Sequence, residues 1–101
     1  MTTEYRSFAD FYPYYLAEHS KRSTRRLHFA GTFLVLLTLA YCVVTQRWVV
    51  LLLAPVFGYG LAWLGHLVFE KNRPATFKHP LYSLAGDFVM FKDLLTGRIP
   101  F

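Results

Sequence analysis

Charged and apolar positions in this chain fall in blocks. From Phe29 to Thr45 the run FAGTFLVLLTLAYCVVT is seventeen residues without a charge. From Trp48 to Phe69 the run WVVLLLAPVFGYGLAWLGHLVF is twenty-two residues in which only His66 ionises near neutral pH. At a rise of about 1.5 Å per residue the two span roughly 25 and 33 Å, against a hydrocarbon core of about 30 Å. Only Gln46 and Arg47 separate them, enough to reverse direction between antiparallel helices and too little for an extramembrane domain. The pattern predicts an all-α membrane helical hairpin, with transmembrane helices over 27–45 and 48–70.

The flanks predict interfacial helices. SFADFYPYYLAEH begins with Ser7 and carries Asp10 three residues on, a capping-box-like start in which the acidic group suits the positive helix end. Its aromatic residues surround the helix, so an interfacial helix over 7–22 is expected, bent or restarted at Pro13. KNRPATFKHP is broken by Pro74 and Pro80 and should be extended. In YSLAGDFVMFKDLL, Leu84, Phe88, Phe91 and Leu95 have helical spacing and predict a second interfacial helix over 81–96. Ala54, Gly58, Gly60, Ala62 and Gly65, with Gly31 opposite, would let the two spans approach closely. The whole, residues 1–101, reads as a single membrane domain.

Composition agrees with this pattern. A soluble fold of 101 residues buries only about 60 to 65% of its unfolded surface, too little to hide a chain that is 54% hydrophobic. The net charge of +5 sits outside the apolar runs, with five Lys or Arg before His28, five from Lys71 onward and Arg47 alone in the turn. By the positive-inside rule both termini face the cytoplasm, in the inner membrane of a bacterium or the endoplasmic reticulum of a eukaryote. The basic flanks show no nucleic-acid motif, and the lipid bilayer is the simpler partner. The first 28 residues are too long and too aromatic for the basic start of a signal peptide, so the first span is expected to be retained. Cys42, the only cysteine, is a small packing residue within an apolar run.

The chemistry-bearing residues gather on one side of the hairpin. His28 and His66 fall at similar depth beneath the same interface, with His19 nine residues before His28 and His79 thirteen after His66, so all four can converge on one patch as candidate metal ligands. An imidazole at membrane depth is costly unless paired or liganded, and neutral imidazole is a common ligand for iron, zinc and copper. No histidine pair has the spacing of a zinc-protease motif, so spacing leaves metal binding and simple hydrogen bonding both open. Glu70, four residues after His66, and Asp87, after a glycine, could orient a ligating histidine or complete a two-histidine, one-carboxylate iron site. Glu70 could equally pair with Arg25 or Arg26. Those arginines set topology or hold a lipid carboxylate outside the hydrocarbon.

FYPYYLAEHSKRSTRRLHFAGT and GYGLAWLGHLVFEKNRPATFKHPLYSLAGDF together resemble the small membrane family of 2-hydroxy fatty-acid dioxygenases typified by the yeast enzyme of fatty-acid alpha-oxidation, over roughly residues 8 to 91. The resemblance is carried by His19, by Arg26, His28 and Gly31, by Trp63, Gly65, His66 and Glu70, and by Asn72, Pro74, Ala75 and Thr76. It implies an Fe(II)-dependent enzyme that takes a 2-hydroxy fatty acid and dioxygen, shortens the acid by one carbon and releases carbon dioxide. His19, His28 and His66 match the family's histidine positions and take the metal role by resemblance. HPLYSLAGDF, with His79, is nearer the bacterial members, and the fungal enzyme has further membrane segments. Two other functions compete: a non-catalytic oligomeric membrane module, and a hairpin binding haem through His28 and His66. Two spans make a thin wall, which a homodimer would thicken.

Overall fold

The computed structural model describes residues 5–101. Four α-helices follow in order: α1 (Phe8–Ala17), α2 (Arg22–Thr45), α3 (Leu53–Gly65) and α4 (Pro80–Leu95). A 3-10 turn, Trp48–Leu52, leads into α3, and a π-helical turn, His66–Glu70, ends it. Short 3-10 helix Ala75–Phe77 precedes α4. Among the described residues there is no strand.

Two long elements, Arg22–Thr45 and Trp48–Glu70, are apolar and long enough to cross a bilayer. Only 22% and 11% of their apolar windows are buried within the protein. A core helix of a soluble protein would be mostly covered. Here Val44 is 82% exposed, and Val49 and Leu52 each 73%. The molecule extends 47 Å along its major axis.

The turn between the spans is made by Gln46, which takes the left-handed conformation (φ 60°) while its N–H donates to the Cys42 carbonyl at 2.8 Å. The Trp48 indole N–H donates to the Gln46 side chain at 3.3 Å. The helices then pack through missing side chains. A Cβ on Gly31 would lie 2.9 Å from the Phe57 carbonyl oxygen, and one on Gly65 would lie 3.3 Å from Thr24 Cα. Ala62 is buried, whereas a Cβ on Gly60 would meet nothing within 4 Å, so Gly60 stands off the packed face.

α2 starts at Arg22, before the apolar run, so His28 sits in its second turn instead of at its mouth. α1 ends earlier than the aromatic pattern implies, because Glu18 N–H and His19 N–H close onto the Tyr14 and Leu16 carbonyls and the chain turns at Glu18 and His19. At its other end Ser7 caps α1 by accepting from Asp10 N–H at 3.2 Å. Pro13 lies inside α1 without breaking it; it removes one backbone donor, while buried Phe11 and Tyr15 anchor the helix on either side of it.

α1 and α4 share a core of Phe11, Tyr15, Ala75, Met90 and Leu94. The buried face of α4 is Ser83, Gly86, Met90, Asp93 and Leu94. Its periodic apolar residues Leu84, Phe88 and Leu95 point away from that core, at 46%, 41% and 66% exposed. A Cβ on Gly86 would come within 2.9 Å of the Tyr15 ring, so this glycine sets how closely α4 approaches α1. Phe29 stacks on Phe91 of α4 at 4.5 Å, and the residues past α4 fold back onto α2: the Phe101 ring meets Phe29 edge-on at 5.2 Å, and Arg26 donates to the Phe101 carbonyl at 3.0 Å while lying over its ring.

Candidate metal centre

Three histidines from three elements meet beneath α1 and α4. His19 stands in the link after α1, His28 on α2, and His66 at the start of the π-helical turn. Their exposures are 1%, 5% and 1%. His19 Nε2 lies 3.0 Å from His28 Nε2 and 2.9 Å from His66 Nε2. One ligand atom from each lies within 4.8 Å of the others.

The outer partners of these rings decide where their protons are. His19 Nδ1 lies 2.6 Å from the Tyr15 carbonyl, which can only accept, so Nδ1 carries the proton and Nε2 of the neutral ring is a lone pair. Asn72 donates its amide N–H to the Glu18 carbonyl at 3.2 Å, which turns its oxygen toward His66 Nδ1 at 2.7 Å. His66 therefore also donates from Nδ1, and its Nε2 is a second lone pair. Two lone pairs face each other at 2.9 Å. A proton from His28 Nε2 can satisfy the contact with His19, but it leaves the His19–His66 contact without one.

A cation between the rings resolves this. A proton is disfavoured, because burial drives the His19 imidazole down to about 3, the hydrogen bond to the Tyr15 carbonyl offsetting only part of that. A metal ion suits the set, since neutral imidazole nitrogens are ligands for iron, zinc and copper, and hydrogen bonds from the other ring nitrogen to a carbonyl or amide oxygen are the usual way to aim them.

The other residues singled out by the sequence divide sharply. Asp87 reaches the site, with Oδ1 3.7 Å from His28 Nε2 and accepting the Tyr15 hydroxyl at 2.5 Å. Burial raises its carboxyl to about 6 and holds the Tyr15 phenol well above its ordinary value, so the phenol stays a donor. Glu70 turns away: it accepts from the Ser20 hydroxyl at 2.8 Å and Lys21 N–H at 2.6 Å. Lys21 is the N-cap of α2 and supplies no side-chain cap itself, so Glu70 ties the start of α2 to the end of the second span. Arg25 donates to the Ser20 carbonyl at 3.0 Å and Arg26 to Phe101. His79 lies among the rings of Tyr5, Phe11 and Tyr14, and its carbonyl accepts from Ser83 N–H at 2.8 Å in the first turn of α4.

Sequence reasoning did not assign Tyr15 or Asn72 a role. Asn72 is six residues past His66, and only the π-helical turn, closed by Asn72 N–H on the His66 carbonyl at 3.1 Å, brings it back onto that ring. Beside the histidines a chamber of about 10 Å³ is bounded by Tyr59, Trp63, Ser83 and Asp87. The Ser83 hydroxyl and the Trp63 indole N–H are buried without a partner.

Asn72→Ala should weaken metal binding by about 10–100-fold, the usual cost of losing a partner that orients a ligand, while His79→Ala leaves it unchanged. Titration of the detergent-solubilised apoprotein with cobalt(II), followed by its visible absorption, measures both.

No curated protein and no solved structure matches this chain. A family model does match it, over residues 5–99, a stretch that takes in all four helices and the histidine cluster. The chain belongs to the 2-hydroxy-palmitic acid dioxygenase Mpo1-like family.

Proposed function

We propose that the protein is an iron(II)-dependent dioxygenase that shortens 2-hydroxy fatty acids by one carbon. The observation that carries this reading is the pair of opposed imidazole lone pairs, in a chain whose family is named for 2-hydroxy-palmitic acid dioxygenase. His19, His28 and His66 would hold the metal, and iron(II) bound there would supply the dioxygen chemistry that protein side chains lack. The overall reaction balances with one dioxygen: the 2-hydroxy acid gives the shorter acid, carbon dioxide and water.

The chain's own groups do the rest. The Tyr15 carbonyl and Asn72 hold two of the rings in the tautomer that presents Nε2. Packing of α1 and α4 over the hairpin excludes water, with Tyr15 lying flat against His19 at 4.1 Å between centroids. Asp87, kept beside His28 by the Tyr15 hydroxyl, offers a carboxylate oxygen to the substrate's 2-hydroxyl proton. Ser83 and Trp63 line the small chamber beside the histidines with unpartnered donors, next to where the substrate's polar head would sit. A haem held by His28 and His66 fits less well, because their ring centroids are 5.2 Å apart and His19 contacts both.

Purified without oxygen and then supplied with iron(II), 2-hydroxypalmitic acid and air, the wild type should release the one-carbon-shorter acid. His28→Ala and His66→Ala should bind no stoichiometric iron and make no product. Iron-loaded wild type that makes none overturns the reading.

We further infer that the two spans cross the bilayer with both ends in the cytoplasm, on the strength of the basic flanks. Reporter fusions at the two termini should both read cytoplasmic, and opposite readings would reject the hairpin topology.

A further inference from the structure

We propose that the groove between α2, α3 and α4 is the seat of the substrate's acyl tail and that its far wall, at Ala54, sets the chain length accepted. This deepens the dioxygenase reading and rests on it for the identity of the substrate. The groove encloses about 240 Å³. Its walls are Thr32 and Val35 on α2, Ala54 and Gly58 on α3, and Leu84 and Phe88 on α4.

Continuity with the metal centre identifies the occupant. The groove and the small chamber at the histidines share His28, Tyr59 and Asp87. The chamber end is polar, with the unpartnered Ser83 hydroxyl and Trp63 N–H. Away from His28 and Asp87, the groove is walled almost wholly by apolar groups. A ligand that sets a polar head against His28 and Asp87, where groove and chamber meet, and lays an unbranched apolar tail along the groove can lie only one way round.

The helix geometry gives the groove its direction. His28, Thr32 and Val35 are four and three residues apart on one face of α2, so the wall descends about 10 Å from the metal centre toward the middle of the span. Gly58 contributes no side chain to the opposite wall, and Ala54, a turn earlier on α3, lines it at the end away from His66. Leu84 and Phe88 hang over the opening, 46% and 41% exposed. An acyl chain beneath them would cover apolar surface that α4 leaves bare.

The test uses a 2-hydroxy fatty acid with a terminal diazirine, and a phosphatidylcholine with the same diazirine-tipped tail, each photolysed with iron-loaded full-length protein in detergent. The hydroxy acid should label the segments containing Val35 and Ala54–Gly58, in competition with unlabelled 2-hydroxypalmitic acid, and the phospholipid should not. Ala54→Phe should cut that labelling about tenfold or more and shift turnover toward short 2-hydroxy acids by a similar factor. Val56→Phe, on a lipid-facing position that is 63% exposed, should change neither. Equal labelling by the phospholipid, or label spread over the lipid-facing residues, overturns the proposal, as does an Ala54→Phe protein that binds iron normally and keeps the wild-type chain-length profile. Competed labelling at Ala54–Gly58 in a wild type that makes no product upholds the seat and rejects the dioxygenase reading instead.

Discussion

The Nε2 atoms of His19 and His66, on rings whose protons sit on Nδ1 and are donated in hydrogen bonds to outer acceptors, face one another at 2.9 Å in a buried site. In water such a contact would dissolve into separate hydrogen bonds. Here the Tyr15 carbonyl and the Asn72 amide hold the rings in place, and burial makes protonation of His19 unfavourable. The folded chain thus concentrates electron pairs at one point, an arrangement that could hold a cation.

Much of the remaining structure serves to keep that point in position. Gly31 and Gly65 bring α2 and α3 close enough for His28 and His66 to face the same volume. Glu70 clamps the Ser20–Lys21 link, which carries His19 back over the hairpin. Gly86 lets α4 settle against the Tyr15 ring, and that approach allows the Tyr15 hydroxyl to reach Asp87. A site assembled from three helices and a link in this way is a property of the whole fold. Substitutions well away from the histidines therefore act on it through backbone placement.

The large features were legible in the sequence because they depend on composition over long windows. Two uncharged runs separated by Gln46 and Arg47 specify an all-helical hairpin, and that antiparallel geometry alone brings His28 and His66 to the same end. The finer features depend on turns that a helical wheel cannot register. Glu70 shares a face with His66 on an ideal α-helix, but the π-helical turn and the exposed Lys21 N–H direct its carboxylate to the head of α2. The same turn recruits Asn72, whose spacing from His66 has no α-helical meaning. His79 is set among aromatic rings by the short 3-10 helix before α4. On α4 the periodic apolar residues announced an interfacial helix, but not its packed face, which runs through Ser83 and Gly86 to Met90 and Leu94, the glycine admitting the Tyr15 ring.

The most direct test of the central claim is X-ray absorption on the iron(II)-loaded wild-type protein, frozen without oxygen. The structure predicts outer-shell scattering from three imidazole rings per iron, falling to two in His19→Ala if that variant retains metal. A spectrum with oxygen ligands alone, or one unchanged by loss of His19, would contradict a centre built on the opposed nitrogens of His19, His28 and His66.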